Sequence, residues 1–199
     1  MTGTVFTKTY RDIPADRGEI LRYASAKGGS LELEQLLDSC LSEIWDKLTY
    51  RVCYCELPIY KRDGGLDLCF AWTDSRALGK NLDGGESIVL FAATVGIAVD
   101  RLCAKYSKLS PSRALMLDAV GTERIESLCD RFELEITERA GGQNRRTAPR
   151  FSPGYGDLPI QIQKDIFRVL DPSRKIGVTL NESMLISPAK SVTAIIGIK

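Results

Sequence analysis

The stretch Ile88-Val89-Leu90-Phe91-Ala92-Ala93-Thr94-Val95-Gly96 opens the longest apolar run of the chain, which extends from Ile88 to Val99. A run of this length is too short to span a bilayer and therefore indicates an element buried inside a folded domain. Its first residues, Ile88–Phe91, predict a buried strand. We expect the residues that follow, Ala92–Gly96, to lead directly into a helix.

The composition is that of an ordinary globular protein, and it excludes several kinds of catalytic and metal site. With 44% apolar and 27% charged residues in 199 positions, the chain can form a core and lies outside the disordered range. A formal net charge of +1 gives no electrostatic footprint for nucleic acid or an anionic membrane. The chain contains no histidine, which excludes Ser-His-Asp catalysis, Cys-His catalysis and His-ligated metal sites within it.

The N-terminus and the cysteines bear on the cellular compartment. The first residues have no apolar stretch after a basic start, so we expect no secretory signal and a soluble cytoplasmic protein. In that compartment the six cysteines are expected to be reduced thiols. Cys53 and Cys55 face one side of a predicted strand, but their spacing is not that of zinc knuckles or thioredoxin-like motifs. A thiol-based redox or metal site at this pair stays open as an alternative.

The first fifty residues contain two helical patterns. A helix over Arg17–Ala26 is predicted to stop at Gly28-Gly29. Ser30 is the expected N-cap of the second helix, with Glu32 and Glu34 in its first turn, where they complement the helix dipole.

The rest of the chain alternates helix and strand signals. Ser110-Pro111 is a helix start, and we expect Gly121-Thr122 to divide the stretch that follows into two helices. A short helix is predicted over Ile160–Leu170. Strands are predicted over Arg51–Tyr60, Ile176–Leu180, Met184–Ile186 and Val192–Ile198.

Residues 139–150 form the only local charge bias. The stretch has four arginines and no acidic residue. We interpret it as a solvated loop, and the functional alternative is that it contacts an anion or a partner.

Three motifs in the C-terminal third indicate a small-molecule site. They are Arg150-x-x-x-Gly154-Tyr155-x-x-x-Pro159, Ile176-Gly177-Val178-Thr179-Leu180-Asn181-Glu182-Ser183, and Pro188-Ala189-Lys190-Ser191-Val192. A Gly-Tyr loop lets backbone amides approach a ligand while an aromatic face covers it. A nearby arginine can bind a carboxylate through two parallel hydrogen bonds, and Glu182, next to a strand end, can accept hydrogen bonds from an amine. The pattern favours recognition of a zwitterionic or nucleoside-like molecule over bond cleavage.

These motifs resemble the activation domain of vitamin B12-dependent methionine synthase. That family carries an Arg-x-x-x-Gly-Tyr loop ending in proline, a strand ending in a Leu-Thr-Glu-Ser-like stretch, and a Pro-x-x-Ser-Val run entering the last strand. The matching residues here are Arg150, Gly154, Tyr155, Pro159, Leu180, Glu182, Ser183, Pro188, Ser191 and Val192. Upstream, Phe91–Gly96 with Asp100 and Asp118–Gly121 with Glu126 and Asp130 are also similar to the family. The N-terminal part looks like the short stand-alone members.

The resemblance implies a function in cobalamin chemistry. The activation domain binds S-adenosylmethionine (AdoMet) beside the cobalamin module and supports reductive methylation of inactive cob(II)alamin, with an electron from a flavodoxin-like donor. The corrinoid and its histidine ligand lie elsewhere in the parent enzyme. A stand-alone relative would therefore meet cobalamin only through a partner, a corrinoid methionine synthase that lacks its own activation domain.

The resemblance also implies residue roles. The implied cofactor-binding residues are Glu126, Arg150, Ser152, Gly154, Tyr155 and Glu182. Arg150 would hold the AdoMet carboxylate, Glu126 would reach the amino group with Asp130 as a weaker candidate, and the loop from Ser152 to Tyr155 would line the ligand. From the residues alone, alternatives stay open: Arg150 pairs with a surface acid, Tyr155 belongs to a core, Glu126 and Asp130 form a solvated helix face, and Glu182 caps a turn.

Several positions depart from the family pattern. The loop continues Gly156-Asp157-Leu158-Pro159 where the family usually has Pro-Ala-Cys-Pro, Asn181 replaces threonine, and Ile195-Ile196 replace aromatic residues of the last strand. A ligand-contacting aspartate near the start of the larger family domain has no counterpart here. These departures favour the alternative function, a non-catalytic binding or scaffold protein of the same fold with a lost or changed ligand.

We therefore predict a single α+β domain over residues 1–199, with a twisted antiparallel sheet and packed helices. A helical segment over about residues 1–50 is expected to pack on this core, and the ligand loop 150–159 is expected near the sheet edge. The predicted function is that of a stand-alone reactivation partner of a cobalamin-dependent methionine synthase. Whether the chain is itself an enzyme is open, because the reacting cobalt lies on the partner.

Overall fold

An antiparallel sheet organises the structure, a computed structural model that describes residues 3–26 and 30–199. The helices are α1 Arg17–Tyr23, α2 Leu31–Ile44, α3 Arg76–Asn81, α4 Ala98–Tyr106, α5 Pro111–Gly141, α6 Gln163–Leu170 and α7 Pro172–Ile176, with 3₁₀ turns at Trp45–Lys47 and Ile160–Ile162. The strands are β1 Phe6–Tyr10, β2 Tyr50–Pro58, β3 Tyr60–Arg62, β4 Gly65–Asp67, β5 Trp72–Thr73, β6 Ser87–Thr94, β7 Thr179–Leu180, β8 Ile186–Ser187 and β9 Ser191–Ile198. The main sheet has the order β1-β2-β6-β9, and every pairing in it is antiparallel. The predicted α+β class is confirmed.

Strand β6 is apolar throughout because both of its faces are buried. Val89, Phe91 and Ala93 enter a core formed with α1, α2, α4 and α5. Ile88 and Leu90 alternate with them and enter a second core formed with α3, α6 and α7 on the opposite face. A strand covered on both faces reads as a continuous apolar run, so the opening stretch has no alternation. The strand runs three residues further than the predicted Ile88–Phe91.

The edge strand β1 was not predicted, since the first fifty residues show mainly helical patterns. Its register places Phe6 opposite Tyr54 and Tyr10 opposite Tyr50. The hydroxyl of Tyr10 donates to a carboxylate oxygen of Glu135 at 2.8 Å. A short strand with a lysine and two threonines carries a weak apolar signal, which is typical of an edge that resists pairing with other chains.

The two N-terminal helices largely follow the sequence pattern. The hydroxyl of Ser30 accepts a hydrogen bond from the amide of Leu33 at 3.1 Å, which confirms the predicted N-cap of α2. Helix α1 ends at Tyr23, three residues earlier than predicted, and the expected stop at Gly28-Gly29 lies outside the described residues.

A buried ion pair fixes the N-terminal segment on α5. Arg124 is fully buried, and its Nε donates to Glu123 Oε2 at 2.5 Å. The two Nη atoms of Arg124 donate to the carbonyls of Ile13 and Pro14, both at 2.6 Å. Glu123 Oε1 accepts from the backbone amide of Asp16 at 3.1 Å. The pair therefore neutralises itself and also satisfies backbone groups that would otherwise lack partners.

Helix α5 is continuous, and the prediction that Gly121-Thr122 divides it is wrong. A Cβ at Gly121 would lie 2.6 Å from Val99 Cγ1 and 3.0 Å from Lys190 Cγ. Glycine is therefore present because α4 packs closely against this point of α5, and it does not act as a helix breaker.

The C-terminal region has less strand than predicted. Residues Pro172–Ile176 form α7, which begins with proline in the first turn and ends at Gly177 with a φ of 76°. Strand β7 is limited to Thr179–Leu180, while Ile176 and Val178 are buried in the second core. Met184 has a φ of 62°, which excludes it from the predicted strand, so β8 covers only Ile186–Ser187. Strand β9 confirms the prediction for Val192–Ile198.

The close contact at Gly121 can be tested with a matched glycine in the same helix. We expect Gly121→Ala to lower the free energy of unfolding by about 1–3 kcal/mol, because the added methyl group overpacks the α4–α5 contact. At Gly141 an added Cβ meets no heavy atom within 4 Å, so Gly141→Ala should be neutral or stabilising by up to about 1 kcal/mol. Urea denaturation measures both. Equal stability of the two variants would contradict the packing explanation.

Candidate ligand-binding site

The segment after α5 follows the free edge of β9. The amide of Ala148 donates to the carbonyl of Gly197 at 2.9 Å, and Phe151 exchanges backbone hydrogen bonds with Ile195 at 2.8 and 2.9 Å. Beyond Phe151 the chain leaves the strand, and no backbone hydrogen bond joins the described part of this segment to residues 191–193 of β9. The loop 150–159 thus lies at the sheet edge, as predicted.

A cavity of about 420 Å³ lies where the loop and β9 separate. Its lining residues are Glu126, Arg150, Phe151, Ser152, Pro153, Tyr155, Gln163, Ile186, Ser191, Val192 and Thr193. The structure therefore brings four of the six predicted site residues together in one cavity, whose size suits a ligand of nucleoside dimensions. Gly154 lies in the loop between two lining residues. Glu182 lies in the exposed turn between β7 and β8 and is not among the lining residues.

The loop backbone is closed on itself by local hydrogen bonds. Gly154 has a φ of 89°, a conformation that strains other residues, and its amide donates to the carbonyl of Leu158 at 2.9 Å. The amide of Tyr155 donates to the carbonyl of Ser152 at 3.2 Å. The side chain of Tyr155 is 70% exposed, which excludes the alternative that it belongs to a core. Its ring is free to cover a molecule in the cavity.

Asp157, which departs from the family pattern, fixes the loop to α3. Its Oδ1 accepts from the hydroxyl of Ser75 at 2.5 Å and from the amide of Ala77 at 3.1 Å, and its Oδ2 accepts from the amide of Arg76 at 2.9 Å. The Ser75 hydroxyl and these amides lower the pKa of Asp157 below its usual value. The loop backbone is close to α3 as well, since a Cβ at Gly156 would lie 2.8 Å from that of Ala77.

Arg150 is held by three carboxylates from one face of α5. Its Nη1 donates to Asp130 Oδ1 at 2.5 Å and to Glu133 Oε2 at 2.7 Å, and its Nη2 donates to Glu126 Oε2 at 2.8 Å. The three acids are four and three residues apart, which places them on a single helix face. Glu133 also accepts from the backbone amide of Arg150 at 3.1 Å. Glu133 was missed by the sequence analysis, although helical periodicity from Glu126 and Asp130 points to it.

The electrostatics of this cluster are unusual for an arginine site. Burial disfavours the charged guanidinium, but hydrogen bonds to Asp130 and Glu133 outweigh burial, so the pKa of Arg150 is raised. One guanidinium faces three carboxylates, so the cluster carries an excess of negative charge. Within the described residues, Nε–H and one hydrogen of Nη2 have no partner and remain available to a ligand.

Two buried polar side chains of the cavity were also missed by the sequence analysis. Thr193 is 2% exposed and Gln163 is 6% exposed. Thr193 Oγ1 and Gln163 Oε1 have no hydrogen-bond partner in the described part of the chain. Buried polar atoms without partners are uncommon in folded proteins, and water, an ion or a functional role of the site can account for each of them. No sequence motif marked either residue, because each lies inside an otherwise apolar helix or strand pattern.

The arginine-rich segment is only partly a loop. Residues 139–141 belong to the end of α5, which corrects the predicted loop boundary. Arg139 pairs with Glu56 at 3.1 Å, and Arg145 donates to the Ser87 hydroxyl at 3.2 Å. The positive charges therefore contact acids and polar groups of the sheet, in addition to the cluster at Arg150.

The cysteines form no bonds with one another. All six are free, and Cys53 and Cys55 are buried in the second core on the same side of β2. Burial raises the pKa of Cys53 to about 12 and that of Cys55 to about 11. Over residues 3–26 and 30–199, no group of three or more Cys, Asp or Glu is arranged to hold a metal ion. In the same ranges no helix is long and apolar enough to cross a membrane.

The fold and the cavity together define an α+β domain with a charged cavity at the edge of an antiparallel sheet. The family model described as vitamin B12 dependent methionine synthase, activation domain, matches residues 79–198. The chain belongs to this family. A comparison with curated proteins found no match.

The chain is also similar to a solved structure. A crystal structure of the MetH reactivation domain bound to AdoHcy matches with a TM-score of 0.73 at 16% sequence identity. The match covers 98% of this chain and 78% of that chain. At this identity the likeness establishes the shared fold, and its coverage extends beyond the family match into the N-terminal part of the chain.

The thiol environments lead to a reactivity test. Cys69 is exposed, whereas the thiols of Cys53 and Cys55 are buried and have raised pKa values. We expect one fast-reacting thiol with an aromatic disulfide reagent, because the thiolate is the reactive form. Cys69→Ser should abolish the fast phase and Cys55→Ser should leave it intact. A fast phase that persists in Cys69→Ser and disappears in Cys55→Ser would restore the thiol-based alternative.

Proposed function

We propose that this chain binds AdoMet in the cavity at Arg150 and acts in trans as a reactivation partner of a corrinoid methionine synthase. The observation that carries the proposal is the convergence, in one cavity, of Arg150, its acidic cluster and the Gly154-Tyr155 loop of an activation-domain family member. AdoMet supplies a methyl group on a sulfonium, and the residues of this chain bind and orient it.

The charge distribution of the cavity supports AdoMet over a neutral or anionic ligand. AdoMet carries a carboxylate, an ammonium and a sulfonium, so its net charge is positive. The free hydrogens of Arg150 suit the carboxylate, because arginine binds carboxylates through paired charge-assisted hydrogen bonds. The carboxylates of Glu126, Asp130 and Glu133 supply the excess negative charge that favours the ammonium and sulfonium.

The nucleoside part of the ligand has partners on the other wall. Thr193 and Gln163 offer buried polar groups without partners, and Ile186 and Val192 offer apolar surface for a base. Tyr155, exposed on the loop, would cover the base by stacking. Ser152 lines the same cavity. Glu182, on the neighbouring exposed turn, would approach the ligand only by a movement of that turn.

Binding of AdoMet can be measured by titration calorimetry with matched variants. We expect wild-type protein to bind AdoMet and Arg150→Ala to bind about 10- to 100-fold more weakly, because a charged hydrogen bond contributes about 1.5–3 kcal/mol. Arg168→Ala, an exposed arginine of α6, should bind like wild type. AdoHcy, which lacks the sulfonium charge, should bind about fivefold more weakly than AdoMet. Folded wild-type protein that binds neither ligand would contradict this half of the proposal.

The reactivation role needs a separate assay with a partner. The test uses a corrinoid methionine synthase without its activation domain, inactivated to cob(II)alamin, with AdoMet and a flavodoxin-like reductant. We expect the wild-type chain to restore methylcobalamin, seen in the visible spectrum, and Arg150→Ala to restore much less. If the chain binds AdoMet but never restores the partner, the reactivation role is wrong and a binding protein of the same fold is favoured.

One observation concerns the second candidate function, that of a binding protein of the same fold. Ile195 and Ile196 replace the aromatic residues of the family strand, and both are fully buried, one in each core. They therefore serve packing within the chain rather than the surface of the cavity.

A further inference from the structure

A second cavity, of about 410 Å³, lies at the end of the sheet where β2 begins and β6 ends. Its lining residues are Lys47, Thr49, Arg51, Gly96, Ile97, Ala98, Arg101 and Leu102. None of these residues lines the AdoMet cavity, so the two spaces are separate. The family resemblance assigned no role to this cavity.

Three basic side chains line the second cavity, and no acidic residue does. Within the described residues, the side chains of Arg51 and Arg101 make no hydrogen bond or salt bridge, so neither is neutralised by an acidic residue of the chain. Lys47 donates only to the backbone carbonyl of Glu43. Like charges facing one cavity repel each other unless an anion lies among them. The arrangement therefore has the charge pattern of an anion site whose counter-charge comes from outside the chain.

Neutral donors of the same cavity reinforce this pattern. Helix α4 begins at its wall, and the N-cap residue Ile97 provides no side-chain acceptor for the first amides. Asp100, the acidic residue of the first turn, is not among the lining residues, and its Oδ1 accepts from the amide of Ala189. Uncapped amides and the helix dipole favour an anion at a helix N-terminus. Thr49 Oγ1 is buried and has no partner in the described chain. This hydroxyl lies against the start of the helix, since a Cβ at Gly96 would be only 2.4 Å from it.

The remaining wall is apolar. Ile97 is 40% exposed, and Ala98 and Leu102 extend the same surface. A small inorganic ion would leave this surface in contact with water. A ligand that joins an anionic group to a small apolar body would cover it, and burial of apolar area favours binding.

We propose that this cavity binds a phosphate monoester with a small apolar body. Three cations and an uncapped helix start outweigh the two negative charges of a phosphate dianion, and arginine and helix amides are the usual partners of phosphate oxygens. The apolar wall takes the organic part. The site is independent of the AdoMet cavity, where the acidic cluster on α5 repels an anion.

The test is an amide NMR titration with phenyl phosphate, inorganic phosphate and phenol as probes. We expect saturable shifts at the amides of residues 96–99 with phenyl phosphate, at least fivefold weaker binding of inorganic phosphate, and no saturation with phenol. Saturation by phenol at the same concentrations would show an apolar pocket without anion recognition and would overturn the proposal. Absence of saturable shifts with phenyl phosphate would overturn it as well.

Charge-matched double variants identify the residues involved. Arg51→Gln with Arg101→Gln should weaken phenyl phosphate at least tenfold, while Lys164→Gln with Arg168→Gln on α6, which removes the same charge, should leave it within twofold. Arg101→Gln alone, on the exposed face of α4, serves if the double variant does not fold, and should weaken binding at least threefold. Equal weakening by both double variants would indicate only general attraction and would contradict the site. AdoMet binding should be unchanged throughout, which separates this result from the proposed function.

Discussion

The buried pair of Glu123 and Arg124 is the constraint on which the arrangement of the domain depends. Neither charge reaches water, so removal of one partner would leave an uncompensated charge in the core, at a cost of about 3–5 kcal/mol. The carbonyls of Ile13 and Pro14 and the amide of Asp16 complete the network, which ties the N-terminal segment to α5. With α5 fixed in rotation at this point, the next turns present Glu126, Asp130 and Glu133 toward Arg150. Together with the buried apolar residues of α5, the interior ion pair thus fixes which helix face contributes Glu126 to the cavity wall.

The parts of the fold that sequence reasoning predicted are those with a local physical cause. The apolar run of β6 requires burial, and Ser30 caps a helix through a neighbouring amide, so both are readable from a few residues. The errors arise where distant packing dominates local preference. Gly121 has the local signal of a helix breaker, but its actual role is to allow the close approach of α4. The residues of β1 carry no clear strand signal, because the strand forms through pairing with β2.

The candidate site divides in the same way. One sequence motif contains Arg150, Ser152 and Tyr155, so their proximity could be predicted from the sequence, and all three line the cavity. Thr193 and Gln163 come from a strand and a helix with ordinary core patterns, and only the folded arrangement shows that their polar atoms lack partners. Thr94 lies between the two separate cavities, because its hydroxyl accepts from Ser191 Oγ at 2.8 Å and from the amide of Gly96 at 3.0 Å. One side chain therefore contacts the wall of an acidic cavity and the wall of a basic one.

The position of β9 in the sheet has a consequence for how the chain folds during synthesis. Strand β6 needs residues 191–198 as its partner along one edge, although about a hundred residues separate the two strands. Until those residues leave the ribosome, the most apolar strand of the protein has an open edge, which is a template for pairing with other chains. Contacts this distant in sequence also slow the final step, because the loop must close before the pairing stabilises it. Nascent chains halted before residue 191 would therefore be the species most dependent on chaperones.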